Sequence, residues 1–186
     1  MAIVIERLIF LRSGKILQVN KLMEIEVSIK NKDLKLALDW SQRENSPMLR
    51  VAKVAIINAD KPKRELKAVL EEAGRMEVPV LEKNLTGLHT IAVISPLLGL
   101  LGTVLGMIEV FSKIVETGTK DPSILAGGIS QALLTTAAGL SLAIPTLIFF
   151  NLISKKIDNL ITKMEYQSIT LYEILTENYN IGHELS

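Results

Sequence analysis

The sequence predicts an all-α, multi-pass membrane protein whose long helices extend into a cytoplasmic helical bundle. Three observations predict this fold class. The 186 residues are 48% hydrophobic, with a mean hydropathy of +0.33. No charged residue occurs between His89 and Glu109 or between Asp121 and Lys155, and each stretch is long enough to cross the ~30 Å hydrocarbon core of a bilayer. Elsewhere, apolar residues recur at the three- and four-residue spacing of helices.

These stretches and the charges around them divide the chain into six segments. Almost all Lys and Arg residues lie up to Lys83 or after Ser154, so the positive-inside rule places the N-terminal region and the C-terminus in the cytoplasm. Residues 1–12 are predicted to be the inner end of a first transmembrane helix, and residues 13–89 a cytoplasmic helical region. Residues 90–111 are predicted to form a transmembrane helix, residues 112–122 a periplasmic loop, and residues 123–154 a second complete transmembrane helix. Residues 155–186 are predicted to form a cytoplasmic C-terminal helix and tail.

The first segment contains the apolar stretch AIVIERLIFLR, which is too short to cross a bilayer, because a spanning helix needs ~20 residues. We expect it to be the inner end of a transmembrane helix whose beginning lies outside this sequence. An interfacial amphipathic helix is the alternative.

The cytoplasmic region is predicted to form several helices. Asp33 is expected to cap one of them, and Ser46-Pro47 to end it. A second helix is predicted over residues 48–58. Pro62 suits the first turn of a third helix, whose apolar pattern continues to Leu88, so Pro79 should bend this helix without ending it.

Small residues recur at steps of three and four in both apolar stretches, PLLGLLGTVLGM (96–107) and GISQALLTTAAGLSLAIP (128–145). In lipid, small side chains allow helix backbones to approach closely and gain van der Waals contact. We therefore expect tight packing of these helices, either within a chain or between chains. The residues predicted to form the contact are Gly99, Gly102, Gly106, Gly128, Ala132, Gly139 and Ala143.

Polar side chains interrupt the same stretches. Thr103 and Thr136, with Gln131 and Thr135 beside them, are candidates for an ion path, because a hydroxyl can both donate and accept a hydrogen bond. For each of them, a hydrogen bond to its own or a neighbouring helix is the structural alternative.

Two prolines, Pro96 and Pro145, lie within the same stretches. Each removes a backbone hydrogen bond, so each predicts either a static kink or a flexing point.

The middle of each stretch contains no Asp, Glu, His, Lys or Arg. No side chain there can exchange a proton near neutral pH, so the titrating group of a proton cycle would have to come from another polypeptide. The whole chain has no Cys, only two well-separated His residues and a net charge of +1. Thiol chemistry and a cysteine metal site are excluded, a histidine metal site and a cofactor are not expected, and nucleic acid is not indicated as a partner. No nucleophile–base set suggests an enzyme.

The two motifs, in this order, closely resemble the ExbB/TolQ/MotA proton-channel family, and are nearer ExbB and TolQ than MotA. The opening AIVIERLIFLR is similar to the inner end of that family's first helix, so the resemblance implies three membrane helices, with most of the first absent here. Thr103 and Thr136 match threonines that the family implicates in the ion path. Many ExbB and TolQ proteins have glutamate where this sequence has Gln131.

The resemblance also implies an assembly. Five copies would form a ring around the membrane helices of an ExbD/TolR-type single-span partner, whose aspartate carries the ion. The ring would transmit the energy of ion flow to a TonB- or TolA-type periplasm-spanning protein.

We therefore expect a ring-forming subunit of an ion-driven, inner-membrane motor complex, as in TonB-dependent uptake, with the proton as the expected ion and Na⁺ left open. A TolQ-like subunit for Tol–Pal envelope maintenance and a non-conducting membrane scaffold are the alternatives. A substrate transporter fits less well, because its two related halves usually contain broken helices around a polar pocket.

Overall fold

A computed structural model of the protein describes residues 2–118 and 122–179. Every element in these ranges is helical, so the prediction of an all-α fold is confirmed. The helices in these ranges are α1 (Ala2–Phe10), α2 (Ser13–Ile16), α3 (Val19–Lys30), α4 (Leu34–Gln42), α5 (Pro47–Ile57), α6 (Lys63–Glu82), α7 (Leu85–Thr117) and α8 (Pro122–Tyr179). They form two compact units. The first unit contains α1–α6 and the part of α8 after Ile153, and the second unit, Asn84–Ile153, contains α7 and the rest of α8.

Side-chain caps fix the starts of α4 and α5. The backbone N–H of Leu36 donates to Oδ1 of Asp33 at 3.0 Å. The N–H of Leu49 donates to the hydroxyl of Ser46 at 3.2 Å, and Pro47 is the first helical residue of α5. Each cap satisfies a backbone donor that has no partner in the first turn of a helix. The predicted cap at Asp33 and the break at Ser46-Pro47 are confirmed.

Helix α6 differs from its prediction at both ends. Pro62 precedes the first helical residue instead of lying inside the helix. Pro79 lies within α6 without ending it, as expected, but α6 stops at Glu82. Asn84 then adopts a left-handed conformation with φ of 62°, which breaks the helical path. Leu88, predicted to continue this helix, therefore belongs to α7.

Helix α7 also extends further than expected. Residues 112–117, predicted as part of the loop 112–122, continue the helix. The ammonium of Lys113 donates to Oε1 of Glu109 at 2.6 Å, one turn away, and Gly118 ends the helix with φ of 62°. A glycine in the left-handed conformation commonly ends a helix. The charge of Glu109 ends the apolar run in the sequence, but the helix continues past it. Residues 119–121 of the predicted loop and 180–186 of the predicted C-terminal tail lie outside the described residues.

Apolar side chains from α3, α5, α6 and the last part of α8 fill the core of the first unit. These helices are amphipathic, and each turns one row of aliphatic residues inward. The fully or almost fully buried members of these rows include Leu22, Ile25, Ile29, Met48, Leu49, Ala52, Leu66, Leu70, Ile157, Leu160, Leu171 and Leu175.

One ion pair joins α5 to α6 within this core. Nε of Arg50 donates to Oε1 of Glu77 at 2.7 Å, and a second nitrogen of the guanidinium donates to Oε2. Glu77 is 8% exposed. The hydrogen bonding to Glu77 and its negative charge raise the pKa of Arg50 above its usual value, although burial works in the opposite direction. A two-point contact of this kind fixes the rotation of the two helices as well as their distance.

Replacing Glu77 should destabilise the first unit. We expect Glu77→Gln to lower the free energy of unfolding by about 1–2 kcal/mol, because it leaves the half-buried Arg50 without its counter-ion. Denaturant unfolding followed by far-UV circular dichroism measures the change. Asp39→Asn, which removes the exposed pair between Asp39 and Arg43, is the matched control and should cost less than about 0.5 kcal/mol. Equal losses in the two variants would contradict this account of the core.

Candidate functional site

Within the described residues, two helical stretches are long and apolar enough to cross a membrane, Leu85–Glu116 and Leu125–Tyr179. Of the 18-residue apolar part of each stretch, only 17% in the first and 6% in the second is buried by the rest of the chain. Leu98 is 61% exposed and Leu134 is 69% exposed. The core helix of a soluble protein would be covered by its own chain. Exposed apolar surface of this extent calls for an apolar environment, such as lipid or another membrane helix.

Helices α7 and α8 meet in the second unit with their backbones in direct contact. A Cβ atom placed on Gly139 would lie 2.6 Å from the carbonyl oxygen of Ser95 and 3.1 Å from Cα of Gly99. A Cβ atom on Gly99 would lie 3.0 Å from Cα of Thr136. These distances are shorter than van der Waals contact, so only glycine allows the two backbones to lie this close.

The contact continues along both helices. Gly102 lies against the side chain of Thr135 and Gly106 against Cβ of Ala132. A side chain on Gly128 would overlap Val110. Successive contacts pair increasing residue numbers on α7 with decreasing residue numbers on α8, so the two helices are antiparallel.

The seven residues predicted for helix packing all lie on this face. Six of them take part in the contacts above, and the seventh, Ala143, is buried one turn beyond Gly139, with 5% of its surface exposed. The sequence left open whether the contact forms within or between chains. The structure forms it within one chain.

The polar residues predicted for the ion path differ in their hydrogen bonds. The hydroxyl of Thr136 donates across the helix contact to the carbonyl oxygen of Gly99 at 3.1 Å. The hydroxyls of Thr103 and Thr135 donate to carbonyl oxygens three residues earlier in their own helices, at 2.6 Å and 2.7 Å. The side chain of Gln131 is exposed. Of the four, Thr136 therefore links the two helices.

These four residues form two short polar strips on the edges of the contact. Thr103 lies one turn after Gly99, which contacts Thr136, so these two threonines share one edge. Gln131 lies one turn before Thr135, so these two share the other edge. The division follows from the 100° step between consecutive residues of a helix, which directs Thr135 and Thr136 to different sides. Thr103 and Thr136 are half-buried, and Gln131 and Thr135 are exposed.

Sequence analysis missed two contributors to this contact. Val110 packs against Gly128 and is 3% exposed, although its aliphatic side chain is typical of a lipid-facing position. Its place one turn after Gly106 was the signal that could have identified it. At the other end of the pair, the rings of His89 and Phe150 lie 4.8 Å apart. Pro96 and Pro145 both lie inside continuous helices, a placement compatible with either a kink or a flexing point.

Gly139→Ala should separate the two helices. The new methyl group would overlap the Ser95 carbonyl, and overpacking of this kind costs about 1–3 kcal/mol. Unfolding of the protein in mixed micelles by increasing SDS measures the loss. Gly127→Ala is the matched control, since a Cβ atom there meets nothing within 4 Å, and it should be neutral or slightly stabilising because alanine favours the helix. An equal loss of stability in both variants would exclude the backbone contact as the cause.

Comparison with known proteins gives the family context of this helix pair. The chain is 40% identical over 112 residues to a biopolymer transport protein, ExbB-like 3, from Synechocystis, covering 59% of this chain and 53% of that protein. It is 46% identical over 83 residues to the biopolymer transport protein ExbB of Helicobacter pylori, covering 45% and 57%. It is 32% identical over 105 residues to the Tol-Pal system protein TolQ of Haemophilus influenzae, covering 55% and 46%.

The chain spans about half the length of these relatives. Residues 41–166 match the MotA/TolQ/ExbB proton channel family, and this range includes all of α7 and the part of α8 that carries the contact and the polar strips. The resemblance inferred from the two motifs is therefore confirmed. The chain belongs to the MotA/TolQ/ExbB proton channel family and is a membrane protein.

Proposed function

We propose that this protein is the ring-forming subunit of an ion-driven motor complex in the bacterial cytoplasmic membrane. It couples the flow of protons to a periplasm-spanning partner, as in TonB-dependent uptake, and performs no covalent catalysis. The observation that carries this proposal is the α7–α8 pair. Its backbones are in contact, its edges carry Thr103 and Thr136, and no ionisable side chain lies between His89 and Glu109 or between Asp121 and Lys155.

The absence of a titratable group from these stretches determines what the partner must supply. A proton that crosses a bilayer needs a group that binds and releases it, and hydroxyls do not titrate near neutral pH. We propose that an aspartate on an ExbD/TolR-type single-span protein is this group. A carboxylate in hydrocarbon is costly, so a ring of five subunits that offers it hydroxyl and amide groups would lower that cost.

The threonines can serve such a carboxylate in two ways. A hydroxyl that donates to a carbonyl oxygen can still accept a hydrogen bond from a water molecule or a protonated acid. Rotation of the Thr136 hydroxyl away from Gly99 gives up one hydrogen bond, a loss of about 1 kcal/mol, and frees it to donate. Thr136 can therefore stabilise either protonation state of a neighbouring acid at small cost.

The proposed topology places α7 and the apolar part of α8 across the membrane. The first unit and the C-terminus lie in the cytoplasm, and the connection between α7 and α8 lies on the periplasmic side. The distribution of Lys and Arg supports this orientation, because Lys113 and Lys120 are the only Lys or Arg residues between Lys83 and Lys155.

Two other functions remain to be separated from this one. The likeness to the Haemophilus influenzae TolQ protein supports a Tol–Pal role in envelope maintenance, in which the same ring would act on a TolA-type protein. Restoration of energised uptake in an exbB-deficient host, or of detergent resistance in a tolQ-deficient host, distinguishes these roles. A non-conducting scaffold would need the glycine contact but not the hydroxyls.

Removal of the Thr136 hydroxyl should impair ion passage, while the glycine contacts keep α7 and α8 together. We expect Thr136→Val to reduce proton flux about tenfold or more, since a hydrogen bond to a charged group contributes about 1.5–3 kcal/mol, and Thr136→Ser to retain most of it. Flux is measured with a pH-sensitive dye in liposomes containing this protein and its single-span partner.

Thr146→Val is the matched control. Thr146 is a buried threonine of the same helix whose hydroxyl donates to the carbonyl oxygen of Leu142 at 2.7 Å, so its loss should leave the flux near that of the wild type. Undiminished flux in Thr136→Val and Thr103→Val, at normal assembly, would favour the scaffold.

A further inference from the structure

His89 lies at one end of the α7–α8 pair, and nothing above assigns it a role. In the sequence of the second unit, Asn84–Ile153, every other ionisable side chain lies from Glu109 to Asp121. Glu109 is about 30 Å further along α7, at 1.5 Å of rise per residue. An imidazole gains and loses a proton within about pH 5–8. His89 is therefore the side chain at this end of the pair that can exchange a proton near neutral pH.

The ring of His89 is positioned by a contact across the pair. Its centre lies 4.8 Å from the centre of the Phe150 ring on α8, with the two ring planes 42° apart. Leu88, the preceding residue, is buried with 4% of its surface exposed, whereas His89 is exposed. The contact with Phe150 thus fixes where the imidazole lies and still leaves it accessible from outside the chain.

His89 lies on the same edge of the helix contact as Thr103 and Thr136. It precedes Thr103 by fourteen residues of one continuous helix, and four helical turns take about 14.4 residues. On α8, the exposed residue Asn151 follows Thr136 by fifteen residues, so it shares a side of its helix with that threonine by the same count. Each helix therefore places a second polar group on this edge, about 21 Å from the threonines, at the end where His89 meets Phe150.

Pro96 adds a hydrogen-bond acceptor between these two positions. It lies seven residues from both His89 and Thr103, close to two helical turns, and so on the same side of α7. Proline has no N–H, so the carbonyl oxygen of Ala92, four residues earlier, lacks its usual donor within the helix. In membrane helices, a backbone group freed in this way can be satisfied by ordered water. The edge between Thr103 and His89 therefore offers a place for water.

We propose that His89 is the proton-exchange residue at the cytoplasmic end of the ion path, where it passes protons between the path and bulk water. The inference rests on the proposed function, which supplies the partner's carboxylic acid and the topology. A ring nitrogen of the neutral imidazole accepts the proton that arrives from this acid along the edge. The imidazolium then releases one proton to the cytoplasm and becomes neutral again, so the cycle needs no other reactant.

The sequence beyond this end offers no ready substitute. The nearest charged residues along the two helices are Lys83, before α7, and Lys155, on α8. A lysine ammonium group keeps its proton near neutral pH, so it cannot accept a further one. Loss of the imidazole should therefore slow the exchange step itself.

Two substitutions separate proton exchange from a role in packing. His89→Phe keeps a ring beside Phe150 without an exchangeable proton, and His89→Gln keeps a polar side chain without the ring. We expect both to reduce proton flux about tenfold or more, because a positioned proton-transfer group contributes about 100-fold or more. Flux is measured in liposomes that contain the full chain and the proposed single-span partner. Normal flux in His89→Phe would show that only the ring contact matters and overturns the proposal.

The other histidine of the sequence provides the control. His183→Gln removes the same chemical group elsewhere in the chain. Its flux should stay within about twofold of the wild type, a margin equivalent to less than thermal energy. A loss in His183→Gln as large as that in His89→Gln would overturn a specific role of His89.

Free imidazole provides a second readout that a packing role would not change. With imidazole on both sides of the membrane, the flux of His89→Gln should recover several-fold, because the free base can accept the proton in place of the missing side chain. N,N′-dimethylimidazolium has a similar shape but no exchangeable proton, and it should restore nothing. No recovery with imidazole, or an equal gain in the wild type, overturns the proposal. If His89→Phe does not assemble, the recovery of His89→Gln decides.

The outcomes also separate this inference from the proposed function. If the wild-type protein with the proposed partner shows no proton flux, the proposed function fails, and the role of His89 fails with it. If wild-type flux is normal and the substitutions at His89 do not change it, only the role of His89 fails.

Discussion

The structure depends on one constraint, the contact of the α7 and α8 backbones around Gly99 and Gly139. A membrane helix gains nothing from hiding apolar side chains from lipid, so association must come from van der Waals contact and hydrogen bonds. Because these glycines have no side chain, the two backbones come close enough for both van der Waals contact and a hydrogen bond. They bring Thr136 within 3.1 Å of the Gly99 carbonyl, so a hydrogen bond forms across the pair at its closest point.

The same closeness determines what the pair can and cannot do. Large side chains are confined to the outer surface, where Leu98 and Leu134 are exposed and available to lipid or to other helices. The polar side chains of the two strips at the edges are three hydroxyls and one amide. Such groups can accept and donate hydrogen bonds but cannot store a proton near neutral pH. In the proposed function, such a helix pair lines a path for an ion, and another polypeptide supplies the group that carries the ion.

The sequence predicted most of what depends on local pattern. Glycine spacing identified the contact face, and the side chains of Asp33 and Ser46 identified helix starts, because both signals act within a few residues. Sequence analysis was less successful where contacts between residues distant in the sequence determine the structure. Nothing in the opening AIVIERLIFLR indicates that the guanidinium of Arg7 donates to the carbonyl oxygen of Leu81, 74 residues later, in the last turn of α6. The end of α7 was misplaced for a different reason: Glu109 marks the end of an apolar run, whereas the helix itself continues until Gly118.

The most direct test of the central claim is a measurement of proton flux through the purified protein in liposomes, alone and together with the proposed single-span partner. The account predicts no flux above that of empty liposomes for the protein alone. Flux should appear only with the partner and should disappear when the membrane aspartate of that partner is replaced by asparagine. Robust, selective proton conduction by this chain without a companion would contradict the account, because the helix pair would then need a proton carrier that its sequence does not contain.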